Sequence, residues 1–270
     1  RGNVVAGVAK LHAMTSFRQI AGLSEIADDF DVVFCDVWGV VHNGREAFVP
    51  ACDALARFRK KGGAVVLVTN APVPEARVLR VMQRLGVSPE SYDRIATSGD
   101  ATRRQLELHG GPVYAIGVAG DTSVYEGLDI ELTDDPARAA VICCTSLRDY
   151  PNDHPDRYEE EIRKLADTGL EMICATPDVQ FRHGDDLIWS AGALAVIYED
   201  QGGQVIRPGK PDAATYELVR EEVTPATGAP EAMVSRKRLP PWADRPASFG
   251  KVEIVSWPSS CGATWPSIEA

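Results

Sequence analysis

The chain has 270 residues, 44% hydrophobic and 25% charged, with a formal net charge of −11. That length suits one large domain or two modest ones, two being the expectation, and the composition is that of an ordinary globular protein. The charge repels nucleic-acid backbones on average, which argues against a nucleic-acid partner but leaves room for a local basic pocket for a small anion. No apolar stretch approaches the length of a membrane span, so no membrane association is expected.

The first 13 residues carry basic side chains but lack a long apolar core followed by a small-residue cleavage site, so a secretory signal is not expected. Six cysteines, at 35, 52, 143, 144, 174 and 261, show no CxxC spacing, and four lie in apolar strand-like runs. Buried thiols in a reducing, cytoplasmic compartment account for them. Neither they nor the five histidines pair at zinc-ligand spacing.

In chain order, residues 1–30 read as an N-terminal extension. The run Val32-Val33-Phe34-Cys35 then predicts a strand covered on both faces, ending in the carboxylate of Asp36. In open parallel sheets ligands bind beyond the carboxyl ends of the strands, so Asp36 stands where a nucleophile can be displayed. A helix is predicted over Pro50–Lys61, with Ala51, Ala54, Leu55 and Phe58 at helical spacing and Gly62-Gly63 as a stop. A strand follows over Ala64–Thr69, then a helix over Pro74–Leu85 that buries Val78, Val81, Met82 and Leu85. This βαβ opening predicts two helices covering a parallel sheet.

A second alternating block runs from Arg94 to about Val205. It has predicted strands at Val113–Val118, Ala140–Cys144 and Glu171–Cys174, and an amphipathic helix over Asp156–Asp167 with Tyr158, Ile162, Leu165 and Ala166 on one face. The pairs Gly110-Gly111 and Gly202-Gly203 read as helix stops. Beyond it, a strand at Gln204–Arg207 leads through Gly209-Lys210-Pro211 into a helix over Asp212–Glu222. From Pro225 onward there are seven prolines and three of the five tryptophans, and only Val252–Val255 has the character of a short strand. Residues 225–270 are therefore expected to be poorly ordered or oddly packed. The abrupt break reads as a shifted reading frame or a diverged terminus, which sequencing the coding DNA would settle.

Three groups suggest chemistry jointly: Asp36 after the first strand, Thr69-Asn70 after the second, and Lys210 before the late helix. Each alone is an ordinary turn or cap residue. Together they suit phosphoryl transfer, in which a carboxylate attacks phosphorus, a hydroxyl and backbone N–H groups hold the phosphate oxygens, and a lysine offsets charge. Positions 36 and 69 are separated by one βαβ unit, which takes roughly 30 residues or more.

In order and spacing these segments resemble the haloacid dehalogenase superfamily, subfamily IIA, over roughly Asp31 to Glu222. Asp36-Val37-Trp38-Gly39-Val40-Val41-His42-Asn43-Gly44 is similar to motif one, Val68-Thr69-Asn70-Ala71-Pro72 to motif two, and Gly209-Lys210-Pro211 to motif three. Thr97-Ser98-Gly99, Ala175-Thr176-Pro177-Asp178 and the stretch from Trp189 through Gly192-Ala193-Leu194-Ala195 are similar to cap-domain signatures. The resemblance implies an α/β protein with a Rossmann-like parallel-sheet core, residues 31–92 and 204–224, and an inserted α/β cap, residues 93–203.

The resemblance further implies a magnesium-dependent phosphatase acting on a small phosphorylated metabolite through an aspartyl phosphate. In it Asp36 is the nucleophile, Thr69 and Asn70 bind the phosphoryl group, and Lys210 orients the nucleophile and stabilises charge. Mg2+ is held by Asp36, by the Trp38 backbone carbonyl and by acidic residues of a fourth motif. Asp178 is a candidate substrate contact from the cap, with a helix-capping role equally open. His42 reads as a loop histidine with a substrate contact left open. The oligomeric state is not legible.

Two departures stand out. Trp38 occupies the position where phosphatases of the family usually carry a general-acid Asp, and losing such a donor costs on the order of 10²–10⁴ in rate. After Glu222 no apolar strand ending in Gly-Asp follows, and Asp244 is the only aspartate beyond Asp212. The alternatives are therefore a non-catalytic phosphate-binding relative and, as a third reading, a carbon–halogen hydrolase, which needs the aspartate but no magnesium.

Overall fold

Two parallel sheets organise this computed structural model, which describes residues 20–183 and 185–212 together with the strand Ile254–Val255. The chain opens β1 (Val32–Asp36), α1 (Val49–Lys60), β2 (Ala64–Thr69), α2 (Glu75–Leu85) and β3 (Arg94–Thr97). It continues through α3 (Ser98–His109), β4 (Val113–Ile116), β5 (Leu132–Thr133), β6 (Val141–Cys144), α4 (Glu159–Ala166) and β7 (Glu171–Cys174). The antiparallel hairpin of β8 (Gln180–His183) and β9 (Asp186–Trp189) follows, then α5 (Ala191–Asp200), β10 (Gln204–Ile206) and β11 (Ile254–Val255).

The first sheet has the order β11-β1-β2-β3 and the second β10-β7-β6-β4-β5, both entirely parallel. The α/β class with a Rossmann-like sheet is thus observed. β1 and β2 carry the near-continuous apolar runs that two-sided burial demands. Val65, Val66 and Leu67 are wholly inaccessible, and Cys52, Leu55, Phe58, Val78 and Met82 cover one face from α1 and α2. The second sheet is filled by Ile142, Cys144, Met172 and Cys174 against Tyr158, Ile162, Leu165, Leu194 and Tyr198.

Several expected boundaries shift. β3 pairs with β2 in the first sheet, Thr69 opposite Thr97, so the expected division at 92–93 falls one strand early. Thr97 then caps α3, its Oγ1 accepting from Asp100 N at 2.9 Å, and Leu106 of that helix packs on the second sheet beside Val113 and Val141. The segment 97–99 is thus a strand end passing directly into a helix. The predicted helix over 156–167 begins as a 3-10 turn at Pro155–Tyr158. Here the proline at the start of the turn and the His154 cap favour a tight first turn over α-geometry. β4 stops at Ile116, which frees Val118 to line the cavity described below. β11 adds in parallel to the outer edge of β1, with Phe34 opposite Ile254. The predicted helix over 212–222, from its second residue on, and the rest of the tail lie outside the described residues.

All five described cysteines are free and buried. Burial pushes the Cys35, Cys143 and Cys174 thiols up to about 12 and raises those of Cys52 and Cys144. Since the thiolate is the reactive form, none of these five is expected to be alkylated by iodoacetamide at neutral pH until the chain unfolds. Peptide mapping of native and denatured samples checks this.

Candidate active site

β1 ends at Asp36, which lies opposite Val68, so the next residue of β2, Thr69, projects from the same end of the sheet. Two segments link the sheets, Thr97–Ser98 outward and Arg207–Lys210 on the return, and Ser98 Oγ donates to the Pro208 carbonyl at 3.2 Å. The return segment delivers Lys210 to the carboxyl ends of β1 and β2. Its Nζ lies 2.6 Å from Asp36 Oδ1, with the two side chains 12% and 17% exposed.

The site is wired as a chain of contacts. Asp36 Oδ1 accepts from Val37 N at 2.8 Å as well as from Lys210, and Oδ2 has no hydrogen-bond partner among the described residues. The amide of Asn70 locks the return segment at both of its atoms: Oδ1 accepts from Lys210 N at 2.8 Å, and Nδ2 donates to the Lys210 carbonyl at 3.3 Å. Nδ2 also donates to Asp178 Oδ1 at 3.0 Å. Thr69 is buried, its Oγ1 accepting from Ala71 N at 3.2 Å, which ties the turn after β2.

Asp178 is not a side-chain cap. Its backbone carbonyl accepts from Gly192 N at 3.2 Å at the start of α5, which frees the carboxylate to reach Asn70. Burial raises its carboxyl above the usual range, opposed by the Asn70 hydrogen bond and by Lys210 and reinforced by Asp36. The side chain faces an open cavity, so it is accessible to solvent while the surrounding walls still desolvate it.

That cavity has a volume of about 450 Å³ and is lined by Asp36, Thr69, Asn70, Asp178 and Lys210 at one end. It is far larger than a phosphate ion needs and falls in the range of small-molecule sites. Trp38, Tyr150, Phe181 and Trp189 supply aromatic walls, with Tyr150 and Phe181 stacked at 6.3 Å. Arg77, Asp121 and Ser123 form a polar rim in which Arg77 Nη1 meets Asp121 Oδ1 at 2.7 Å. Tyr150, Phe181 and the rim residues Arg77, Asp121 and Ser123 are not legible in the sequence. Only Trp38 and Trp189 lay in recognisable motifs, and nothing in spacing or pattern marks the others.

Trp38 joins the two halves. Its Nε1 donates to the Arg182 carbonyl at 2.6 Å, and its ring meets Phe181 and His183 edge-on, so it holds the β8–β9 hairpin beside the turn that follows Asp36. Gly44 lets the ring in: a Cβ there would sit 2.7 Å from Trp38 Cη2, and its φ of +85° disfavours a side chain independently. His42 does not line the cavity. It is buried, which lowers its pKa against the opposing pull of Asp36, and its Nδ1 accepts from Gly44 N at 3.1 Å.

Gly209 is a second close approach. A Cβ there would lie 2.5 Å from Pro177 Cδ and 3.0 Å from Asn70 Oδ1. Gly209→Ala is therefore expected to wedge the return segment from its partners. Displacements of about 1 Å cost on the order of 10² in rate, so kcat should fall by about that factor. The melting temperature should fall by about 2–8 °C for about 1–2 kcal/mol of strain. Steady-state kinetics and a thermal melt check both.

Magnesium is commonly held by one or two carboxylates, with substrate phosphate and water completing its octahedron. The carboxylate of Asp36 meets that minimum of one. Among the described residues no three His, Cys, Asp or Glu side chains converge as a metal-binding group. Nor is any helix among them long and apolar enough to cross a membrane.

Comparison with known proteins gives the family. The profile of the haloacid dehalogenase-like hydrolase family matches residues 33–131. No curated protein matches significantly. Among solved structures, a haloacid dehalogenase-like hydrolase from Brucella suis 1330 is 41% identical, with 77% of this chain and 76% of that one covered and a TM-score of 0.74. A protein from Cytophaga hutchinsonii described as a possible sugar phosphatase is 18% identical, with 78% of each chain covered and a TM-score of 0.65. A glycerol phosphate phosphatase from Mycobacterium tuberculosis in complex with magnesium is 20% identical over 73% of this chain and 60% of that one, with a TM-score of 0.54. The last two share the fold; the identity and coverage of the first, together with the profile match, make this protein a member of the haloacid dehalogenase-like hydrolase family.

Proposed function

We propose that the protein hydrolyses a small phosphate monoester through an aspartyl phosphate formed on Asp36. The observation that carries this reading is the contact of Lys210 Nζ with Asp36 Oδ1 at 2.6 Å beside Thr69 and Asn70, in the wall of a small-molecule cavity. Lys210 engages one carboxylate oxygen and leaves the other to attack phosphorus. The Thr69 hydroxyl and the Asn70 amide lie where the oxygens of the transferred group would gather, and Lys210 offsets the charge that accumulates there.

Asn70 has a second role in this reading. By gripping both backbone atoms of Lys210 it fixes the lysine relative to Asp36, and through Asp178 it couples the site to the loop before β8. Asp178 would contact the substrate from that side, in a cap formed by the second sheet and the β8–β9 hairpin. Asp36 and the Trp38 carbonyl would hold a magnesium ion, whose chemistry there is to neutralise phosphate charge and align the ester. The magnesium complex of the Mycobacterium tuberculosis phosphatase supports including the ion.

The test is hydrolysis of p-nitrophenyl phosphate and a panel of sugar and nucleotide phosphates, before and after chelation. Turnover that requires Asp36, is lost with chelator and returns with magnesium supports the reading. Phosphate binding without turnover leaves the non-catalytic alternative instead.

A further inference from the structure

Breaking a phosphate ester leaves an alkoxide that needs a proton, and Trp38 has none to give: an indole N–H is not an acid, and this one is donated to the Arg182 carbonyl. The donor must line the same cavity. Its carboxylates are Asp36, Asp121 and Asp178. Asp36 is the nucleophile of the proposed reaction. Although burial pulls the other way, hydrogen bonds from Ser123 and the pairing with Arg77 hold Asp121 below the usual carboxylate range, so it stays ionised. His42 lies outside the cavity, and burial raises the Tyr150 phenol, making it a poorer acid.

Asp178 has the geometry that the others lack. Its Oδ1 is anchored by Asn70 Nδ2 at 3.0 Å, while Oδ2 has no hydrogen-bond partner among the described residues. It shares with Asp36 the end of the cavity where the ester bond would lie, and it reaches the site through Asn70 rather than through Asp36. We propose that Asp178 is the general acid and base of this site, a role that rests on the phosphatase reading above.

The groups facing Asp178 agree with this role. Burial favours its neutral form and the charge of Asp36 adds to that, while the Asn70 hydrogen bond and Lys210 keep the proton transferable. In the first step an oxygen of Asp36 bonds to phosphorus as the ester P–O bond breaks. The electron pair of that bond goes to the leaving oxygen, which takes the Asp178 proton and departs as the alcohol. In the second step water bonds to phosphorus and gives a proton to the Asp178 carboxylate. The P–O bond to Asp36 breaks with its electron pair returning to that carboxylate, phosphate is released, and both aspartates are restored.

The experiment compares wild type with Asp178→Asn across a series from p-nitrophenyl phosphate to alkyl phosphates. Asn retains an oxygen for the Asn70 bond, and Asp178→Ser serves as a second variant should Asn fold poorly. A nitrophenolate leaves unaided, so its hydrolysis should fall less than about tenfold. The alkyl esters should lose about 10²–10⁴-fold. Because the acid must carry its proton in the free enzyme, wild-type kcat/KM on alkyl esters should decline as pH rises through the Asp178 pKa. That decline should vanish in the variant and return in Asp178→Glu. An equal loss on all esters with an unmoved pH profile overturns the acid role alone. Absence of any Asp36-dependent hydrolysis in wild type overturns the phosphatase reading and this role with it.

Discussion

Asp36→Asn is expected to lower kcat by at least about 10⁴-fold, the scale on which removal of a catalytic nucleophile acts. The substitution is nearly isosteric. An Asn at this position still offers an oxygen to Val37 N and to Lys210 Nζ, which lie 2.8 Å and 2.6 Å from Asp36 Oδ1. The neighbouring Thr69 and Asn70 keep their own partners, Ala71 N and the backbone of Lys210. Phosphate binding should therefore persist while turnover disappears, a split that kinetics and calorimetric titration with inorganic phosphate read separately. A variant that loses binding and turnover together would indicate that position 36 holds up the site rather than reacting in it.

Lys210→Ala should cost about 10²–10³ in kcat, comparable to removal of one preorganised charge-stabilising group. It also leaves Asp36 without its countercharge. Breaking a buried pair by deleting one partner costs about 3–5 kcal/mol; at 12% and 17% exposure this pair should lose somewhat less, about 2–3 kcal/mol. Lys210→Arg is not expected to restore activity. The lysine is held by its own backbone at Asn70, so its ammonium arrives at a fixed reach that a broader, planar guanidinium cannot match. Denaturant unfolding beside kinetics separates the two effects.

The fold was legible where burial acts on both faces. The uninterrupted apolar runs of β1 and β2 and the helical spacing of α1 and α2 left little freedom, because only one period fits each segment. β3 was less legible: four residues, Arg94–Thr97, carry no periodicity, and their place in the first sheet is decided by pairing with β2. The strand at Ile254–Val255 stood out against its surroundings, yet nothing local says that it adds beside β1. Residues 213–222 and the rest of the tail lie outside the described residues.

Of the site, Asp36, Thr69, Asn70 and Lys210 were readable as a set because backbone topology brings strand ends together whatever the side chains do. The roles of Trp38 and Asp178 were not. Trp38 reads from sequence as a missing acid, whereas in space its indole pins the β8–β9 hairpin to the turn after β1. Asp178 reads equally as a cap, and only the acceptance of the Gly192 N–H by its backbone carbonyl shows the carboxylate free for Asn70. Gly209 belonged to a motif, but its reason is steric: no Cβ fits between Pro177 and Asn70.

The central claim is that Asp36 becomes phosphorylated, and borohydride trapping during turnover tests it most directly. Reduction of an aspartyl phosphate yields homoserine, which peptide mass spectrometry locates. Wild-type protein quenched while hydrolysing p-nitrophenyl phosphate should carry homoserine at position 36, and Asp36→Asn should carry none. Steady hydrolysis with position 36 recovered wholly as aspartate would contradict the account.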